Sequence, residues 1–218
     1  MIRSALFLSL WVTAGSTIVV AVFGTVAGYL ISRRRFPGRG LLEACLNLPL
    51  VLPPTVTGYY LIVLLGRRGL LGETILDWTG IAIPFTWIAC IVAASLMAFP
   101  LMLRSALVAF ESIDPRQALA AASLGHGRLS TFFRVLIPMA RKGLLAGVVL
   151  SFARALGEFG ATLMLAGNIP GRTQTLPLAI YEAALSGEDQ KALLMAGALT
   201  LVSVAVMILA GRLDRRTT

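Results

Sequence analysis

Apolar residues gather in five blocks along the chain, at 5–31, 41–65, 85–103, 143–165 and 192–211, separated by breaks at 33–40, 67–84, 104–142 and 167–191. Each block is close to or above the roughly 20 mostly apolar residues that a helix needs to cross a bilayer. The pattern predicts an all-α membrane protein with about five transmembrane helices. The first block begins like a secretory leader, with Arg3 ahead of the apolar stretch from Leu6 to Val12. It continues to Ile31, past the roughly 7–15 residues of a leader's apolar core, which predicts a retained helix. No repeat of 20–50 residues and no low-complexity linker is visible. Residues 1–218 therefore read as a single transmembrane domain with one long insertion at 104–142.

Charge orients the blocks. Thirteen of the 19 Lys and Arg residues fall in the first break (Arg33, Arg34, Arg35, Arg39), the third break (Arg104, Arg116, Arg128, Arg134, Arg141, Lys142) and the tail (Arg212, Arg215, Arg216). Five face the other way (Arg3, Arg67, Arg68, Arg172, Lys191), and Arg154 lies inside a block. Basic loops stay in the cytoplasm, which places the N-terminus outside and the C-terminus in the cytoplasm. This placement also accounts for the net charge of +9 without nucleic acid, and a mean hydropathy of +0.85 excludes an ordinary soluble domain. Cys45 and Cys90 lie in apolar blocks without CxxC or metal-ligand spacing, so they read as buried small hydrophobes, with no metal site expected.

The insertion carries the most specific signal. Residues 114–138 read DPRQALAAASLGHGRLSTFFRVLIP. Asp114 can cap a helix, Pro115 suits its first turn, Gln117 completes a capping box, and Gly125 can end the helix in a left-handed conformation. Beyond it, Leu129, Phe132, Phe133, Leu136 and Ile137 form one amphipathic stripe, and Pro138 is expected to bend the chain toward the next crossing. Two short helices around a glycine turn imitate a DNA-binding motif, but crossings bound them closely and no free domain carries them. A loop lying on the membrane surface and a docking element for a cytoplasmic partner are the readings that stay open.

This stretch resembles the EAA loop of ABC importer permeases, whose pattern is Glu-Ala-Ala, three residues, Gly, nine residues and an Ile-x-Leu-Pro-like ending. Ala120, Ala121 and Gly125 match, and Val135, Leu136, Ile137 and Pro138 give a conservative version of the ending, while Leu119 replaces the Glu. The resemblance implies that Asp114, Pro115, Leu119, Ala120, Ala121, Gly125, His126 and Pro138 belong to a loop docking in a cleft of an ATP-binding subunit. His126 would serve as a surface contact there rather than as a proton relay. Four further segments resemble the molybdate branch of these permeases, close to the sulfate branch. They are FPGRGLLE at 36–43, LPLVLPPTVTGYYLIVLLGRRGLLGE at 48–73, ARALGEFGATLM at 153–164 and GNIPGRTQTLPLAIY at 167–181. ALGEFGA is common to both branches, whereas LPLVLPP, GRRG and NIPG favour molybdate.

A type I ABC importer permease-like fold in the inner membrane is what this resemblance implies. Two copies would form the path, with two ATP-binding subunits and an extracytoplasmic molybdate-binding protein that docks near the outer stretch 176–185. No GxxxxGK[ST] phosphate loop is present, so ATP and Mg would bind the partner, with no cofactor and no covalent chemistry on this chain. Sulfate, thiosulfate or tungstate is the alternative cargo. A secondary anion transporter would call for inverted repeats and a coupling-ion site, which the sequence does not display. A non-transporting scaffold would leave the charges inside the crossings without a task.

Two features bear on an anion. Arg154 lies 11 residues into the fourth block, about 16 Å deep at 1.5 Å per residue, where an ionisable group costs roughly 2.5–3.5 kcal/mol. Glu158 is one turn further on the same face. The pair reads either as a structural ion pair or as a cationic lining, tempered by Glu158, for a doubly charged anion. In the second block Pro49, Pro53 and Pro54 interrupt the helix. A half-helix starting at Pro54, with Thr55 and Thr57, would turn unpaired amides into the membrane, suiting an oxyanion path; a packing kink is the other reading. Gly160 and Thr162 complete the candidate path, with Gly157, Gly160 and Gly167 read as sites of close helix approach.

Overall fold

The computed structural model describes residues 2–34 and 36–215; Arg35 and Arg216, which enter the charge count, lie outside the described residues. Every regular element among the described residues is helical. Four helices are long and apolar enough to cross a membrane, and a bent pair supplies a fifth crossing. These are α1 (Ile2–Arg33), the pair α2 (Arg39–Val51) and α3 (Pro54–Leu65), α5 (Trp87–Glu111), a fourth that runs from α7 (Arg128–Thr131) through a π-helical segment (Phe132–Leu136) into α8 (Ile137–Leu156), and α11 (Asp189–Arg215). Shorter helices are α4 (Gly72–Thr79), α6 (Pro115–Ser123), α9 (Gly160–Ala166) and α10 (Leu176–Leu185).

The five predicted blocks correspond to five crossings, with shifted limits. α5 runs on to Glu111, and the fourth crossing starts at Arg128 rather than 143. Residues 112–127, within the predicted 104–142 insertion, therefore lie between these two long helices. Polar side chains explain the extension of α5. Arg104 Nε donates to Asn47 Oδ1 at 3.1 Å, and Glu111 pairs with Arg39, so both satisfy their charge or polarity against α2 at what we term the basic end. Pro138 does not interrupt the helix, which is continuous from Arg128 to Leu156. Pro138 lies at the start of α8, and the Ile137 N–H donates five residues back to the Phe132 carbonyl. The wider π turn makes room for a proline ring that would press on the carbonyl of residue 134 in a regular α-helix.

α5 is the central helix, with α1 and α8 packed on it. Between apolar helices in lipid, close approach of backbones replaces the hydrophobic effect as the source of association. Small residues provide it here: a Cβ on Gly28 would stand 2.5 Å from Ala106 Cβ, and one on Gly143 would stand 2.5 Å from Ala109 Cβ. An aromatic cluster of Tyr29, Phe110 and Phe132 fills the basic end, with Tyr29 and Phe132 centroids 4.6 Å apart. α11 is different, packing chiefly on α10 and α8 and leaving most of its apolar surface uncovered. Cys90 is buried in α5 as expected, but Cys45 is exposed, on a face of α2 that the other described residues leave uncovered.

Candidate functional site

At the basic end, α6 stands on local backbone rules. Asp114 Oδ1 accepts from the Arg116 N–H at 2.8 Å, while the Gln117 N–H donates to the Asp114 carbonyl. The cap bond thus falls one residue earlier than in the capping box predicted from Gln117. Pro115 takes the first helical position, where its missing N–H costs nothing. At the other end Gly125 adopts φ +84° and the His126 N–H reaches back to the Ala121 carbonyl at 3.1 Å, the bond of a Schellman terminus. His126 Nδ1 lies 3.0 Å from Ser130 Oγ, tying the turn to α7. Ala121 is buried and Ala118 packs on the core, whereas Leu119 and Leu124 are 67% and 80% exposed. The helix is seated by one face, and Leu119 on it and Leu124 just past its end stay uncovered. Its base is clamped by Arg39, which pairs with Glu43 at 2.6 Å and with Glu111 just ahead of the loop.

Two helix breaks lie deeper in the protein. The axes of α2 and α3 differ by 112°, with the break at residues 52–53. The Pro53 carbonyl accepts from the N–H groups of Val56 and Thr57 at 3.0 and 3.1 Å, so α3 starts at Pro54 with a proline where no N–H is needed. A second break at residues 157–159 separates α8 from α9. Glu158 organises it: its Oε1 accepts from the Ala161 N–H at 2.8 Å, capping α9, and its Oε2 stands 2.7 Å from Arg154 Nη1. The Glu158 side chain is 2% exposed and that of Arg154 30%, so the carboxylate is buried and the guanidinium is partly open. The Ser151 hydroxyl meets the Ala98 carbonyl, 11 residues from the start of α5. Arg154, one turn further, therefore lies about 12 Å along the axis from the outer end of α5, near the middle of the apolar run that ends ahead of Arg104.

The breaks meet in space. A Cβ on Gly160 would stand 2.8 Å from Pro54 Cβ, and one on Gly58 would stand 2.9 Å from Ala161 Cα. Close approach, read from sequence for three glycines, thus falls on Gly160. Gly157 instead ends α8 in open surroundings, and Gly167, at φ +69°, ends α9 against the Phe85 ring. Of the candidate path residues, Pro53, Pro54 and Thr55 are exposed, as are Ala153 and Gly157 beside Arg154. Thr57, Glu158, Gly160 and Thr162 are buried. The Thr57 hydroxyl turns to the Pro53 carbonyl at 3.5 Å and adds nothing to the exposed face.

Some polar residues of the outer end were not anticipated. Glu182 accepts from Asn168 Nδ2 at 2.8 Å and from Gln174 Nε2, holding the loop before α10. Ser9 Oγ accepts from the Leu176 N–H at 2.6 Å, joining α1 to the start of α10. Arg67 and Arg172 line a hollow of about 700 Å³ beside Phe85, which adopts the unusual φ of +61°. Amide and acidic side chains within an otherwise apolar outer segment are a sequence signal for the first network. Nothing in the sequence marks the Phe85 conformation.

Comparison with known proteins agrees with this architecture. Residues 21–218 match the family described as binding-protein-dependent transport system inner membrane component. The molybdenum transport system permease protein ModB of Escherichia coli (strain K12) is 43% identical over 206 residues, covering 94% of this chain and 90% of that protein. The sulfate transport system permease protein CysW of Synechococcus elongatus is 36% identical over 218 residues, covering 99% of this chain and 75% of that protein. The crystal structure of a bacterial ABC transporter that imports the acidic polysaccharide alginate superposes with a TM-score of 0.78 at 17% identity, over 99% of this chain and 79% of that one. That likeness speaks for the fold alone, which is the type I importer permease fold expected from the sequence. The chain belongs to the family of binding-protein-dependent transport system inner membrane components.

Proposed function

We propose that this chain is the membrane subunit of an ATP-driven importer of molybdate. The observation that carries the cargo is the 43% identity to a molybdenum permease across nearly the whole chain. In this reading, residues 1–218 act as one membrane domain, and two copies form the path. Two ATP-binding subunits, holding ATP and its magnesium ion, engage the 104–142 loop through α6. The uncovered Leu119 and Leu124 support that docking, because exposed leucines outside the membrane gain by burial against a partner. An extracytoplasmic binding protein delivers the anion at the outer end. Movement of α6 is passed through the Arg39 clamp on α2 and α5 toward the junction of α3 and α9. Arg154 lowers the barrier for a doubly charged oxyanion, and Glu158 keeps the site from becoming a trap.

Uptake of labelled molybdate into proteoliposomes holding this chain, its ATP-binding subunit and the binding protein tests the reading. ATP-dependent accumulation is expected, with sulfate a weak competitor. Accumulation without ATP would point to a secondary transporter. Preferential accumulation of sulfate would assign the chain to the sulfate branch.

A further inference from the structure

At the basic end, α1 and the helix that follows the loop enclose a groove of about 490 Å³. Three arginines line it: Arg33 and Arg34 from the end of α1, and Arg128 from the start of α7. No carboxylate is among its described lining residues. Two Arg33 guanidinium nitrogens, Nε and Nη2, are buried without a hydrogen-bond acceptor. Buried charged donors left unpaired are costly, so this pair of nitrogens points to an acceptor supplied from outside the chain. The remainder of the groove is apolar. Val26, Leu30 and Phe133 line it with exposed side chains, and the wall continues along α1 through the exposed Val22 and Phe23. A water-soluble anion would find use for the arginines but none for this wall. A molecule with a phosphate head and a hydrocarbon tail matches both, at the end of a membrane-crossing helix where such heads lie.

We infer that this groove binds an anionic phospholipid of the inner leaflet, its phosphate held by Arg33, Arg34 and Arg128 and an acyl chain lying along Val26, Leu30 and Phe133. The site would join the end of α1 to the helix leaving the coupling loop. Lipid binding would thereby brace the segment that α6 depends on.

The test uses the full-length protein in neutral detergent, titrated with phosphatidylglycerol, with phosphatidylcholine of the same chains and, separately, with inorganic phosphate. Native mass spectrometry and thermal melting provide the readouts. Phosphatidylglycerol should bind and raise the melting temperature, with phosphatidylcholine and phosphate ineffective. Arg33→Gln and Arg128→Gln should each weaken phosphatidylglycerol binding roughly fivefold, and Arg67→Gln at the outer end should not. Equal binding of the two lipids, or unaltered binding by both variants, would overturn the proposal. Stabilisation by phosphate alone would reassign the groove to a free anion. A photo-crosslinkable phosphatidylglycerol on the unmodified protein covers the case of a variant that does not fold. Labelling should fall within residues 22–34 and 128–133, and labelling confined to other segments would refute the site.

Discussion

α6 and α9 are both short helices with an acidic side chain accepting from a backbone N–H near the start, yet they are held by opposite means. Asp114 and Gly125 define α6 through bonds to neighbours within a few residues, and much of the helix surface stays uncovered. α9 is fixed by a buried carboxylate, an ion pair to the preceding helix and a glycine pressed against Pro54 of another crossing. A helix that must fit a separate protein has to keep its shape before that protein arrives, which local rules achieve. A helix beside a gap in the membrane must instead hold broken backbone in place without water, which requires tertiary contacts. The difference predicts that substitutions at the α3–α9 junction act on folding and transport, whereas substitutions around α6 act on partner binding.

The largest effect is expected at Glu158. Glu158→Ala removes the cap of α9 and leaves Arg154 unpaired, and breaking a buried pair costs about 3 kcal/mol where, as here, one partner is partly open. Chemical denaturation in detergent should register it. Glu158→Gln keeps an oxygen able to accept from the Ala161 N–H and should recover part of the loss. Arg154→Ala should slow molybdate uptake while the ATP-binding subunit still co-purifies. Unchanged uptake by a stable Arg154 variant would confine the pair to structure.

Next in size is Gly160→Val. Its first side-chain atom would already stand 2.8 Å from Pro54 Cβ, and overpacking of this kind costs about 1–3 kcal/mol. Gly157→Ala is the matched control, since the nearest atom is a carbonyl oxygen at 3.9 Å and the φ of −89° suits any residue. Loss of stability in the first and not in the second would show that the two broken crossings are pinned at Gly160.

Gly125→Val isolates conformation from packing. Nothing lies within 4 Å of an added Cβ, so the penalty comes from φ +84° alone, about 1–2 kcal/mol for a residue with a side chain. Membrane insertion should survive, co-purification of the ATP-binding subunit should fall, and Gly125→Asn should restore it in part. Retention of the subunit by the valine variant would count against docking through α6.

The same contrast explains what could be read in the sequence. α6 was legible from Asp114, Pro115 and Gly125 because each acts on its own neighbourhood, and the five crossings were legible because lipid demands long apolar runs. Pro53 and Pro54 marked one break. The other, in the stretch ALGEFGA, was hidden, because Gly157 and Glu158 are compatible with a continuing helix until Glu158 turns to cap Ala161. The continuity of the helix through Pro138 was hidden for a related reason: the π segment that accommodates the proline lies where Phe132 and Leu136 pack against the core. Burial of Thr57 likewise followed from the approach of α9, which no local pattern announces.

Asp114→Ala should have the smallest effect. The substitution removes a single bond to the Arg116 N–H, about 1 kcal/mol for a cap exposed to water. Pro115 still fixes the first turn, and the Gly125 terminus is untouched, so α6 should fray at one end without losing its place. ATP-driven uptake should persist at a reduced rate, with the apparent affinity for the ATP-binding subunit lowered about fivefold if the ordered helix is what the partner recognises. Asp114→Asn, which retains a capping oxygen, should behave like the original protein. If alanine and asparagine weaken binding equally, the carboxylate itself contacts the partner. Asp114 would then supply from the start of α6 an acidic contact of the kind that Leu119, where the family pattern has Glu, does not.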